Sequence, residues 1–295
     1  MLPYRGIGAR RRFGDRALWG TMPTPVEPGE LQPLTSFPRA ARAAVRGVFL
    51  DIDDTLSTDG QLTAEAYSAL ARLHDAGLLI APITGRPAGW CDHIARMWPV
   101  DAVVGENGAF YFRYDRESRQ LHRRFIANDT DRIENRRRLD ALAAEILAAV
   151  PGTALASDQP YREADLAIDY CEDVARLPQT AVARIVALFE AAGATAKVSS
   201  IHVNGWFGTY DKLSTTRLML AEDFGLDLDA RIAEYVFVGD SPNDAPMFAA
   251  FPNAVGVANL RAFADGMSAL PAYITAAPAG AGFAELAAAL LDARK

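Results

Sequence analysis

At 295 residues with half of them apolar, the chain can bury one large core or two modest ones, and no stretch approaches the about 18 uninterrupted apolar residues of a membrane span. The formal net charge of -7 divides unevenly: residues 1–46 carry eight Arg against Asp15, Glu27 and Glu30, a net of +5, which leaves -12 for the remainder. An acidic body argues against nucleic acid as a partner, and Cys91 and Cys171, 80 residues apart, have neither disulfide-framework nor zinc-site spacing. Both read as buried thiols in a reducing compartment, so a cytoplasmic location with no membrane partner is expected.

Residues 1–44 mix an arginine cluster with six prolines through Pro38 and lack sustained periodicity, so they read as an N-terminal extension, disordered rather than domain-forming. No continuous apolar segment follows the charges, as a secretory signal would require, and Met22 is an alternative initiator. From Val45 the texture becomes regular. The run "VRGVFLDI" is of strand type, and the following segment has Thr63 as N-cap, Ala66, Leu70 and Leu73 at helical spacing, and Gly77 at its end. Another strand, "LLIAPIT", precedes a helix opened by Pro87 and running to about Met97; "DAVVGENGA" supplies a third strand. Later, "EYVFVGD" and "NAVGVAN" flank a helix that begins near Pro246. Strands alternating with helices predict an α/β fold, a doubly wound and mostly parallel sheet covered on both faces.

Between these blocks the pattern changes. "GAFYFRYDRESRQLHRRFI" reads as a hairpin, then come a long helix containing the solvated run Arg136–Arg138, a strand in "EADLAIDYC", a helix over 178–193 and the strand-like "TAKVSSIHVNGWFG". The expected division is a catalytic core formed by 45–122 and 208–295, with an inserted α+β cap over 123–207. His74, His93 and His122 stand in no partner pattern and read as structural or solvated.

The chemistry gathers at strand ends. Asp51 ends the first core strand and Asp53 follows two residues later, at the rim where open α/β sheets collect ligands. Their mutual repulsion calls for a cation, and hard oxygen ligands suit Mg²⁺. Asp240 ends a later strand in "VGDSPNDAPM", with Asp244 one turn on, as the second half of such a site. In "ITGRP", Thr84 and the flexible Gly85 suit anionic phosphate oxygens. The sequence holds 27 Arg and only three Lys, so Lys212 departs from a compositional habit and offers a compact ammonium near Asp51.

In this order, "DIDDT", "ITGR", Lys212 and "GDSPND" resemble the motifs of the haloacid dehalogenase-like phosphatase superfamily. The segment between the second and third motifs, with "GENGA" and "VGVAN", resembles the type IIB cap subgroup, which includes sucrose-phosphate phosphatases, phosphomannomutases and mannosyl-phosphoglycerate phosphatases. The resemblance covers about residues 46–295. It implies that Asp51 attacks phosphorus and that Asp53 protonates the leaving alcohol and then activates water. It further implies Mg²⁺ held by the Asp51 carboxylate, the Asp53 backbone carbonyl and Asp240, with Asp244 either a further ligand or a support behind them, and Thr84, Gly85 and Lys212 binding the phosphoryl group.

Asp54 reads as a turn residue. Arg86 fits either a substrate contact or a surface ion pair, and Asn107 either a turn or a substrate contact. His202, Asn204 and Trp206 fit either substrate reading or packing, and Asn243 either orients Asp240 or reaches the phosphate. The function expected is a Mg²⁺-dependent phosphohydrolase acting on a small phosphomonoester, a sugar phosphate by the subgroup. A sugar phosphomutase and a non-catalytic phosphate-binding module are the alternatives. The dehalogenase branch, which needs no Mg²⁺ cluster, is disfavoured.

Overall fold

The computed structural model describes residues 31–295. Its central sheet has six strands, in the order Gln32–Pro33, Tyr273–Ile274, Val255–Gly256, Tyr235–Gly239, Gly47–Leu50, Leu79–Pro82, and every neighbouring pair is parallel. The strands Gly47–Leu50 and Tyr235–Gly239 are wholly buried, which explains their unbroken apolar sequences. Helices cover both faces: Ala64–Asp75 and Ala279–Asp292 pack together on one side, Lys212–Phe224 and Ala245–Ala250 on the other. Thr63 caps the first of these by accepting the Ala66 N–H at 3.2 Å, and Gly77 follows its end at φ +79°.

The strand Val103–Gly105 touches the central sheet only through an Ile83–Val104 bridge. Its main partner is the hairpin Phe110–Asp115 and Gln120–Phe125, with which it makes a three-stranded antiparallel sheet. Phe110 and Phe112 sink into the same core as Val48 and Leu50, so this hairpin packs with the core.

The cap is a four-stranded antiparallel sheet, ordered Ala154–Leu155, Leu166–Asp169, His202–Trp206, Thr195–Val198, backed by the helices Asp129–Ala149 and Gln179–Ala191. Strand alternation assigns its two faces. Leu166, Ile168 and Val203 pack against Leu139, Ile146, Ile185 and Phe189 of the helices. Residues of opposite parity, His202, Asn204 and Trp206, therefore face the core. Trp206 joins the core cluster and stacks on Tyr210, with ring centroids 5.9 Å apart.

The N-terminal expectation needs correction. Residues 1–30, including Met22, lie outside the described residues, but 31–44 are folded rather than disordered. Gln32–Pro33 adds an edge strand to the central sheet, Arg39–Ala44 is a helix, and Leu34 and Phe37 are buried. Phe37 stacks on Tyr273 at 4.5 Å, and Arg42 donates to the Ala289 carbonyl at 3.1 Å. Two anchors three residues apart are too few to give a periodic signal.

Among the described residues, no helix is long and apolar enough to cross a membrane.

Candidate active site

Sheet register brings the distant motifs together. Leu50 lies opposite both Val238 and Pro82, so the residues that follow the three strands emerge side by side: Asp51, Asp240 and Thr84. Asp51 donates its N–H to the Val238 carbonyl at 2.9 Å before the chain turns through Ile52–Ser57, with Asp54 in the left-handed region at φ +54°. Asp54 is thus a turn residue, and Ser57 Oγ accepts its N–H at 3.3 Å.

Lys212 is the first residue of its helix. Asp211 caps that helix reciprocally with Ser214, at 2.6 Å and 2.9 Å, and helical side chains lean toward the N-terminus. The ammonium is thereby delivered to the strand ends, where Nζ donates to Asp51 Oδ1 at 2.8 Å and Asp244 Oδ1 at 2.7 Å. Asp244 Oδ2 accepts the Asp240 N–H at 3.1 Å, tying the lysine to the Asp240 loop.

Carboxylate oxygens of Asp51, Asp240 and Asp244 lie within 4.8 Å of one another, all buried. Burial, reinforced by Asp244 and Asp53 and opposed by Lys212, pushes the Asp51 carboxyl up to about 7. Burial together with Asp244 and Asp51 pushes Asp240 well above the ordinary carboxylate range. Lys212 moves the other way from what burial alone dictates, because Asp244 and Asp51 hold its ammonium above its usual value. One ammonium does not balance three buried carboxylates. Converging hard oxygens with surplus negative charge are the donor set of Mg²⁺, so these residues fit that ion.

Thr84 is fully buried, and its hydroxyl accepts the Arg86 N–H at 3.1 Å while keeping its own proton to donate. Gly85, Asp51, Asp53, Ser241 and Asn243 line a cleft that the cap closes with Ser199, Ser200, His202 and Asn204. Asn243 Oδ1 accepts from Ser241 Oγ at 2.7 Å. Asn107 does not line this cleft. It adopts φ +55°, donates its N–H to the Thr84 carbonyl at 3.0 Å and packs its side chain against Gly85, so it braces the Thr84–Arg86 loop from behind.

Arg86 is not at the surface. It is 4% exposed and clamps Asp53, with Nε 2.9 Å from both carboxylate oxygens and Nη2 2.7 Å from Oδ1. It also reaches two cap carboxylates, Asp158 at 3.3 Å and Glu172 at 3.1 Å. His202 lies 2.8 Å from Glu172, and Asn204 donates to Asp165 at 3.0 Å.

Several contributors escaped the sequence reading. Asn259 donates to the Asp54 carbonyl at 2.9 Å and to Asp240 at 3.3 Å, and Thr55 donates to Asp240 at 3.2 Å. Both sit inside quoted motifs, "VGVAN" and "DIDDT", the only signal they carried. Glu106, wholly buried, accepts four backbone N–H groups: Ala88 at 3.0 Å, and Glu163, Ala164 and Asp165 of the cap at 2.9, 2.6 and 3.0 Å. Nothing local distinguishes Glu106, Asp158, Arg162 or Glu172 from surface charges.

This is an α/β protein with a buried acidic site at the carboxyl ends of a parallel sheet, under an inserted cap. The family model of haloacid dehalogenase-like hydrolases matches residues 48–133, and solved structures share the fold over most of the chain. A Thermoplasma acidophilum protein, 0175, is similar at TM-score 0.62 and 18% identity, over 84% of this chain and 98% of that one. Sucrose-phosphatase from Synechocystis sp., solved with sucrose and phosphate, gives 0.57 and 15%, over 83% and 98%. The C-terminal domain of Candida albicans trehalose-6-phosphate phosphatase gives 0.64 and 13%, over 89% and 99%. A search of curated proteins gives no match.

Proposed function

We propose that the protein is a Mg²⁺-dependent phosphohydrolase of small phosphomonoesters, acting through an aspartyl-phosphate on Asp51. The carrying observation is the Lys212 ammonium shared by Asp51 and Asp244, beside Asp240 and beneath a cleft that also presents Asp53. An anionic nucleophile facing a phosphate dianion needs local positive charge. Lys212 supplies one, and it also fixes which Asp51 oxygen is engaged, leaving Oδ2 to attack.

The reaction divides in two. Asp51 bonds to phosphorus as the ester P–O bond breaks, and Asp53 gives its proton to the departing oxygen. Water then attacks the phospho-Asp51, giving its proton to Asp53 and releasing phosphate. The Thr84 hydroxyl and the Gly85 N–H, with Lys212, bind the phosphoryl oxygens. Asp51, the Asp53 backbone carbonyl, Asp240 and Asp244 would hold Mg²⁺, which when bound screens charge on the transferring group. The polar cap residues over the cleft, His202, Asn204, Ser199 and Ser200, suit a hydroxyl-rich leaving group. Sugar-phosphate phosphatases among the structural neighbours are in keeping with that substrate class.

The test is phosphate release from p-nitrophenyl phosphate and from a panel of sugar phosphates, with Mg²⁺ and after EDTA treatment. Expected are Mg²⁺-dependent turnover, a phosphoryl group trapped on the Asp51 peptide in Asp53→Asn, and none in Asp51→Asn. Undiminished turnover by Asp51→Asn overturns the proposal.

A further inference from the structure

Asn259 stands at the same rim as the acidic cluster, in the turn Ala258–Ala262 that follows the strand Val255–Gly256, and its amide is used on three sides. Nδ2 donates to the Asp54 carbonyl at 2.9 Å and to Asp240 Oδ2 at 3.3 Å, and Oδ1 accepts the Ala279 N–H at 3.0 Å. The orientation is not interchangeable: turned over, the amide would set its oxygen against two oxygens and its nitrogen against an N–H. Ala279 opens the helix Ala279–Asp292 in the left-handed region, at φ +49°, and Gly280 beside it gives its N–H to Thr58 Oγ1 at 3.2 Å. One neutral side chain thus joins the turn after Asp53, the loop of Asp240 and the start of the C-terminal helix.

Two of those pieces carry donors assigned to Mg²⁺. Asp240 is gripped at both oxygens, Oδ1 by the Thr55 hydroxyl at 3.2 Å and Oδ2 by Asn259, which fixes its carboxylate plane. Asp53 and Asp54 share a peptide group, and Asp54 is itself left-handed at φ +54°. Holding the Asp54 carbonyl keeps that turn in place, and with it the direction of the Asp53 carbonyl. The amide does this without adding charge. A cation at this position would compete with the metal for Asp240, and a carboxylate would repel Asp240.

We infer that Asn259 is the positioning residue of the cation site: with one amide it aims the Asp240 carboxylate and the Asp53 carbonyl together, so that the donors are set before the ion enters. The inference rests on the Mg²⁺ reading of the acidic cluster. Mg²⁺ tolerates little departure from an octahedron, whereas Ca²⁺ accepts irregular and more numerous oxygen ligands. A residue that presets donor geometry must therefore matter more to Mg²⁺ than to Ca²⁺. A merely structural hydrogen bond makes no such demand.

Calorimetric titration of the EDTA-treated, desalted protein with Mg²⁺ and with Ca²⁺ tests this. Asn259→Ala is expected to raise the Mg²⁺ dissociation constant about 10- to 100-fold, the usual effect of losing a partner that orients a metal ligand, and the Ca²⁺ constant by a smaller factor. Phosphate release from p-nitrophenyl phosphate by the variant should return as Mg²⁺ is raised, because Asp51 and Asp53 are intact. Thr58→Val is the control: it removes the acceptor of the Gly280 N–H at the same helix start without touching Asp240. It should lower the melting temperature and leave the Mg²⁺ constant unchanged. Equal weakening of both ions by Asn259→Ala overturns the inference. So does an unchanged Mg²⁺ constant, or a loss of Mg²⁺ affinity in Thr58→Val as large as that in Asn259→Ala. If Asn259→Ala does not fold, the same titrations in an Ala279→Gly background decide, since glycine relieves the left-handed φ at the helix start. Absence of Mg²⁺ binding by the unaltered chain overturns the metal reading itself, an outcome distinct from these.

Discussion

Asp240 is the residue on which the metal reading turns, because its carboxylate has the least compensation. Thr55 and Asn259 each donate one neutral hydrogen bond to it, whereas the Lys212 ammonium goes to Asp51 and Asp244. A carboxyl whose folded-state value lies above its unfolded one weakens the fold as pH rises between the two, so above the ordinary carboxylate range the burial of Asp240 beside Asp244 and Asp51 opposes folding of the metal-free chain. Asp240→Asn should therefore leave the metal-free melting temperature unchanged or higher. Mg²⁺ should raise the melting temperature of the unaltered protein, by a stabilisation of about 2.7 kcal/mol at one hundred times Kd, and leave Asp240→Asn unmoved. Calorimetry in EDTA and in excess Mg²⁺ measures both, and an equal Mg²⁺ response in the variant removes Asp240 from the site. Asp240 was legible in the sequence for the same physical reason: a carboxylate directly after "VFVG" breaks a buried apolar run where only function tolerates it. Glu172 and Arg162 were not legible. Their partners lie 86 and 77 residues away in sequence, at Arg86 and Gly85, and the loops that carry them have no period to interrupt.

At the scale of elements, the turn Glu106–Gly108 shows how backbone shape sets a side chain elsewhere. All three residues are left-handed, at φ +44°, +55° and +109°. Such a run persists only where the surroundings enforce it, here through Glu106 N–H to the Arg86 carbonyl at 3.1 Å and Asn107 N–H to Thr84. Gly108 also lies against the start of the Lys212 helix: a Cβ there would stand 2.2 Å from the Asp211 carbonyl oxygen, and Thr215 donates to the Gly108 carbonyl at 2.6 Å. Gly108→Ala combines a strained φ with that clash, so a loss of about 2 kcal/mol or more is expected in denaturant unfolding. The helix start must shift, and Lys212 with it. Turnover should fall by up to about 10²-fold, the effect of an ångström-scale misplacement in a reacting site, with KM changed less than kcat. Full activity with native stability would show that the turn does not set Lys212. The sequence announced a turn in "GENGA" but not its purpose, since the contact with Asp211 spans 103 residues.

At the scale of the molecule, the N-terminal segment decides where the folding unit begins. Composition suggested a unit starting at Val45, and continuous strands and helices do start there. The central sheet nevertheless extends one strand further, to Gln32–Pro33, paired with Tyr273–Ile274. Leu34 and Phe37 are 4% and 1% exposed, in one cluster with Val48, Leu50 and Phe283. Fully burying a side chain of this kind stabilises by about 1.5–3 kcal/mol, so the two together account for roughly 3–6 kcal/mol, a sizeable part of the 5–15 kcal/mol that holds a typical domain. The hydrogen bond from Arg42 to Ala289 adds a smaller share by joining the segment to the C-terminal helix. A chain truncated to begin at Val45 should therefore melt several degrees lower and expose Tyr273 and the edge of Tyr273–Ile274 to association. The site itself lies at strands on the far side of Val255–Gly256, so the fraction that stays folded should keep its kcat. The single substitution Phe37→Ala separates packing from chain length, with an expected loss of about 3–5 kcal/mol in urea unfolding. A truncated chain as stable as the full one, or a Phe37→Ala cost below about 1 kcal/mol, would show that residues 31–44 rest on the body without supporting it.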